Sequence, residues 1–99
     1  MSISNEEAVW QKGLVVAGQD EKLWRKDRCG AWIGRQYHGK TESEYGWEID
    51  HITSLDAGGR DELSNWQPLQ WQNNRKKAEG SLDCAVTAKD VHNVSVSAV

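Results

Sequence analysis

Six of the 99 residues are tryptophan and none is phenylalanine. This constrains the fold more than any other feature. Only 37% of the chain is hydrophobic, and a chain this short sits near the lower end of what buries a self-sufficient core. A few large rings, each burying about 150–250 Å², must exclude most of the water. Trp24, Trp32, Trp47, Trp66 and Trp71 are therefore expected mainly in the core of a single domain spanning residues 1–99.

Local signals divide the chain. "EEAVW" suits one helical turn, and Asp20 followed by "EKLWRKD" predicts a short helix stopped at Cys29-Gly30. "AWIGR" and "YGWEID" carry strand patterns, separated by a polar loop over residues 37–46. "SLDAGGRDELSN" reads as a long turn in which Gly58-Gly59 gives backbone freedom and Asp61 caps a helical turn. "WQPL" returns as a short extended piece holding the only proline, which must sit where no ladder donor is needed. "QWQNNRKKAEG" then predicts a helix ended by Gly80, with Trp71, Asn74, Arg75 and Ala78 on the face toward the hairpin. The tail "VHNVSVSAV" fits an edge strand or a frayed end.

The net charge of −3 argues mildly against a nucleic-acid binder. Its distribution is uneven: "KLWRKDR" at 22–28 and "RKK" at 75–77 are basic, while "ESEYGWE" at 42–48 is acidic. Cys29 and Cys84 belong to no Cys-x-x-Cys pair, the spacing of zinc ribbons and redox motifs. Free, partly buried thiols are expected, a disulfide between them being the alternative. No basic leader and no 18-residue apolar run occurs, so a cytoplasmic protein without a membrane span is expected.

The polar groups of residues 45–78 stand at set intervals. Asp50-His51 is followed by Asn65, 14 residues after the histidine, and by Asn74, nine residues further on. "EIDHI", "GG", "LSNWQPL" and "QNNRKK" together resemble the HNH endonucleases, and in the Asp-His…Asn…Asn variant are similar to the HNH domain of RNA-guided DNA nucleases. The resemblance covers about residues 29–80, leaving 1–19 and 81–99 as flanking segments. It implies an α+β fold, a small ββα-metal hairpin-plus-helix core with a flanking N-terminal helix. It also implies Asp50 as metal ligand, His51 as general base, Asn65 as the residue orienting that base, and Asn74 as a further ligand. Asn73 is the rival to Asn74. Two departures stand out. The last motif letter is Asn74 rather than His, and the position four further on, where some nucleases carry another His, is Ala78. Where many members carry a second Cys-x-x-Cys pair, Gln70 and Asn73 stand, so no structural zinc is expected and the tryptophans must supply rigidity.

The chemistry is arguable from the residues alone. Water attack on a phosphodiester needs a base, a cation and fixed geometry. A neutral imidazole is available at cellular pH, with an unperturbed value near ~6.5. A carboxylate and a carboxamide oxygen form a hard, incomplete donor set that suits Mg²⁺, with Mn²⁺ as the other candidate. Arg75, Lys76 and Lys77 are candidate phosphate contacts, and Glu48 a candidate brace for Arg75. The expected function is metal-dependent endonucleolytic hydrolysis of DNA, with RNA also admitted. A protein partner or homodimer would be needed for tight specificity. The competing reading is a non-cleaving nucleic-acid- or protein-binding module on the same scaffold.

Overall fold

The computed structural model describes residues 4–78 and 80–98. Helix α1 (Asn5–Trp10) starts where the Ser4 hydroxyl accepts from the Glu7 N–H, and it buries Val9 and Trp10. Strands β1 (Trp24–Lys26) and β2 (Trp32–Gly34) form an antiparallel hairpin. Strands β3 (Trp47–His51) and β4 (Trp66–Gln70) form a second one, which runs directly into helix α2 (Trp71–Lys77). Strands β5 (Val86–Lys89) and β6 (His92–Ser95) make a third. The chain is thus a small α+β protein of short antiparallel hairpins in which α2 packs on β3 and β4, an arrangement compatible with an HNH-type core.

Val9, Trp10, Ile33 and Trp47 form the buried cluster, and Ile49 and Trp66 pack against it. The Trp10 and Trp47 ring centroids lie 5.5 Å apart, and both indole N–H groups donate to carbonyls, Trp10 to Glu21 and Trp47 to Gly34. Of the tryptophans expected inside, Trp32 and Trp47 are buried while Trp24, Trp66 and Trp71 are half-buried. Trp10, which sequence reasoning passed over, is among the largest fully buried side chains.

Two sequence expectations need correction here. Residues 24–26 are a strand, not part of a helix: Asp20 caps only one turn, accepting from the Lys22 N–H, and Lys26 then exchanges backbone hydrogen bonds with Leu14. Arg25 points inward, its guanidinium held by the carbonyls of Gln11, Gly13 and Glu21. Helix α2 ends at Lys77, where Ala78 takes the left-handed φ of +46° that the sequence reserved for Gly80. Glu79 lies outside the described residues.

Cys29 and Cys84 are joined in a disulfide rather than free. Each arrives by backbone hydrogen bonding rather than by sequence proximity. The Cys29 N–H donates to Asp27, and just beyond Cys84 the N–H groups of Ala85 and Val86 donate to the Asn73 carboxamide. The tail is docked as well: Asn93 accepts from the Trp32 N–H at 2.7 Å and donates to the Trp32 and Glu44 carbonyls.

The Gly58-Gly59 pair serves two purposes. Gly58 has a φ of +89°. A Cβ on Gly59 would meet the Thr53 carbonyl oxygen at 1.9 Å. The loop therefore folds tightly back on the end of β3.

Two tests follow from this architecture. The disulfide closes a sequence separation of 55 residues, for which loop-closure entropy gives about 4 kcal/mol. Denaturant unfolding with and without reductant should show a loss of that order, and equal midpoints would refute the bond's structural role. Burial pushes the Glu44 carboxyl up, but the Asn93 N–H and the His92 ring outweigh it and leave it below its ordinary value of 4.5. A depressed carboxyl stabilises the fold above its unfolded value, and that contribution disappears as pH falls through the folded one. The melting-temperature gap between wild type and Glu44→Gln should therefore be widest at neutral pH and close in acid.

Candidate active site

Strand β3 ends where the site begins. The hairpin register sets Asp50 opposite Gln67 and His51 opposite Trp66. Asp50 is 5% exposed, and each of its oxygens has a partner. Oδ2 accepts from Gln67 Nε2 at 2.9 Å, and Oδ1 faces Lys77 Nζ at 3.3 Å. Lys77 also donates to the His51 carbonyl at 2.8 Å. This corrects the expectation that Lys77 is a surface contact for phosphate. One turn of helix separates Asn73 and Lys77, and these two residues form the buried side of α2. Removing one partner from a buried pair leaves an uncompensated charge, a cost of about 3–5 kcal/mol.

Asp50 and His51 are adjacent and would point to opposite faces of a regular strand. Because the strand stops at His51, both line one cleft of about 320 Å³, together with Ile49, Asn74, Arg75 and Ala78. A neighbouring depression of about 340 Å³ shares Asp50, His51 and Ala78 and continues along Ser54–Asp56.

The imidazole partner is Asp61, not Asn65. His51 Nε2 lies 2.8 Å from Asp61 Oδ1, which also accepts from the Trp66 indole at 3.2 Å. The hydrogen bond from His51 holds the Asp61 carboxyl below its ordinary value against an opposing loss of solvent, with the Trp66 indole reinforcing it. An ionised Asp61 can only accept, so Nε2 is the donor of this bond and, in the neutral ring, Nδ1 is the acceptor. The Asn65 side chain instead staples the loop: Oδ1 accepts from the Thr53 N–H, and Nδ2 donates to the Thr53 and Arg60 carbonyls. Its own carbonyl accepts from the Ile52 N–H at 2.7 Å. Asn65 thus holds the backbone of the two residues after His51 and makes no hydrogen bond to the ring among the described residues.

On α2, Asn74 and Asn73 part company. Asn73 is buried and fully engaged, donating to Asp27 and the Val86 carbonyl and accepting from Ala85 and Val86. Asn74 lines the cleft, and its Nδ2 donates to Glu48 Oε1 at 2.9 Å. Since the nitrogen faces Glu48, the carboxamide oxygen is the atom left over. Arg75 reaches Glu48 Oε2 at 3.2 Å, so Glu48 braces the arginine as the sequence suggested and orients Asn74 as well. Burial pushes the Glu48 carboxyl up, but Asn74 and Arg75 outweigh it and leave it below its ordinary value. Lys76 is exposed and pairs with Asp83 at 3.5 Å. His38 and His92 sit elsewhere, each bonded to a glutamate.

Among the described residues, no group of three or more His, Cys, Asp or Glu side chains is placed to hold a metal. The cleft offers an Asp50 carboxylate and an Asn74 carboxamide oxygen instead. This is a sparse, hard donor pair of the kind that suits a cation keeping most of its waters, and a cation there would share Asp50 with Gln67 and Lys77. Gln70 and Asn73, at the positions of a second Cys-x-x-Cys pair, converge with Asp27. Asp27 Oδ2 accepts from the Gln70 N–H at 2.9 Å and from Asn73 Nδ2 at 3.0 Å.

Sequence reasoning missed Asp61 and Gln67 as site residues. A fixed hairpin register would have put Gln67 opposite Asp50, whereas nothing in the spacing marks Asp61. No helix among the described residues is long and apolar enough to cross a membrane. No curated protein and no solved structure matches the chain. The family model for HNH endonuclease matches residues 28–80, more than half of the sequence, and takes in the hairpin, the loop and α2. Nuclease or nucleic-acid-directed chemistry goes with that match, and the chain belongs to the HNH endonuclease family.

Proposed function

We propose that the protein is a divalent-metal-dependent endonuclease that hydrolyses DNA phosphodiester bonds, with His51 as the general base. The observation that carries this reading is the shared cleft of Asp50, His51 and Asn74, edged by Arg75. Asp61 fixes the imidazole through Nε2, leaving Nδ1 to take the proton from the attacking water. A base so positioned contributes ~10²–10⁴-fold. Arg75 is 61% exposed at its side chain while held by Glu48, and it offers the cleft a positive edge for a phosphate. Asp50 and Asn74 would hold Mg²⁺ or Mn²⁺, which when bound supplies charge stabilisation for the phosphate oxygens and the leaving oxygen. Gln67 and Lys77 keep the Asp50 carboxylate oriented. The products on this reading carry 5′-phosphate and 3′-hydroxyl ends, as the family resemblance implies.

Plasmid nicking with and without EDTA tests the assignment. His51→Ala should lose at least about 10²-fold, and a variant as active as wild type would refute it. A second experiment separates the two polar residues near His51. Asp61→Ala should depress cleavage while leaving stability close to wild type, since its partner pair is exposed. Asn65→Ala removes three loop hydrogen bonds and should cost about 1–3 kcal/mol in denaturant unfolding. Equal stability of the two variants would contradict this division of labour.

A further inference from the structure

Two more depressions lie outside the cleft, of about 520 Å³ and 190 Å³, and they share Arg28, Ile52 and Gln67. The charged side chains lining them are Lys12, Lys26, Arg28 and Lys77, against Asp27 alone. Asp27 is 1% exposed and both its oxygens are occupied by N–H donors, so neither is left to meet a ligand. Lys77 is neutralised by Asp50. What remains at the surface is positive, on a chain whose net charge is −3. Lys12 is anchored by the Leu63 and Trp66 carbonyls and keeps its charge, and Lys26 lies over the Trp32 ring at 4.7 Å. Arg28 is exposed and makes no ion pair among the described residues.

Gln67 adds an independent observation. It is 5% exposed and lines both depressions, and its Oε1 is the one buried side-chain polar atom without a partner among the described residues. A buried acceptor left unpaired costs about 1–3 kcal/mol, so a water that donates to it gains by binding there, and the second hydrogen of that water is free to donate to a phosphate oxygen. The other end of the same carboxamide holds Asp50 at 2.9 Å. The shared floor of the two depressions is therefore continuous with the support of the catalytic cleft, and Ile52 follows His51 directly.

We infer that the two depressions form one groove that receives the phosphodiester backbone of the substrate strand beside the scissile bond, with Arg28 as its principal phosphate contact. The inference rests on the nuclease reading above and extends it to how substrate is held. Each phosphate neutralised on B-DNA contributes about −0.9 to the log–log salt dependence of binding. Arg28 and Lys12 come from sequence outside or at the very edge of the motif, so motif spacing gives no sign of the groove.

The test is fluorescence anisotropy of a labelled 20-base-pair DNA duplex in EDTA, titrated at several salt concentrations. Arg28→Glu should weaken binding about fivefold or more and flatten the salt slope by roughly 0.9. Arg28→Gln should show the same trend at smaller size, which covers any folding defect of the charge reversal. Lys40→Glu, an exposed site lining neither depression, makes the same change in net charge and should bind close to wild type. Unchanged binding by Arg28→Glu, or equal losses at Arg28 and Lys40, would overturn the groove. An acidic peptide as the true occupant would give the first of these results. Nicking with Mg²⁺, run in parallel, separates the two readings. Binding through Arg28 without any cleavage sinks the nuclease assignment and leaves the groove standing. His51-dependent cleavage with wild-type binding by Arg28→Glu does the reverse.

Discussion

The carboxylate of Asp27 holds the molecule together. One oxygen accepts from the Cys29 and Ala31 N–H groups, the other from the Gln70 N–H and the Asn73 carboxamide, at 2.9–3.0 Å. These four donors come from the β1–β2 turn and from the junction between β4 and α2. Through Asn73 the network reaches the backbone of β5. Burial pushes the Asp27 carboxyl above its ordinary value, against the pull of the donors from Asn73, Gln70, Ala31 and Cys29. Charge-assisted hydrogen bonds are the strong ones, and an unmatched buried carboxylate is among the costliest of defects. The first turn of α2 is anchored at this point. Gln70 caps the helix with its Oε1, so the directions of Asn74, Arg75 and Lys77 follow from where Gln70 is pinned. The distance between Asn74 and the end of β3 depends on a contact outside the cleft.

Much of the scaffold was legible. The β3 and β4 strands, the loop with its glycine pair and the start of α2 each carry a local signal: alternation, turn residues and periodicity. That Asp50, His51 and Asn74 would share one cleft was implied by the family resemblance. What could not be read was which way each side chain turns. "RKK" looks like one exposed basic run, yet helical geometry sends Arg75 and Lys76 outward and Lys77 inward beside Asn73. The face assigned to the interior was anchored on Trp71, which is only half-buried with its N–H on the Ser43 carbonyl. Asp61 was read as a cap because aspartate suits turns, and no local rule says that it will meet an imidazole ten residues back. The two cysteines, 55 residues apart, gave no hint of pairing, since only the fold brings their Cα atoms to 5.7 Å.

The acidic composition is less of an obstacle to binding nucleic acid than the net charge suggests. Glu6 and Glu7 hold Arg35, Glu44 holds the C-terminal hairpin, and Glu48 holds Asn74 and Arg75. Asp50 and Asp27 are buried with partners. These acids are engaged in structure, so the sign of the surface is set locally, and around Arg28 it is positive. Total charge describes solubility and long-range drift better than it describes a particular face.

A carboxylate at the junction of these segments bears on what a chelator can do to the protein. The segments that meet at Asp27 are joined by hydrogen bonds and a covalent sulfur bridge, neither of which EDTA can strip. These contacts should therefore survive a chelator, and on the nuclease reading its effect would fall on the cleft. On that reading the chelator-inhibited state would be a folded one, restored by adding the ion back with no refolding step.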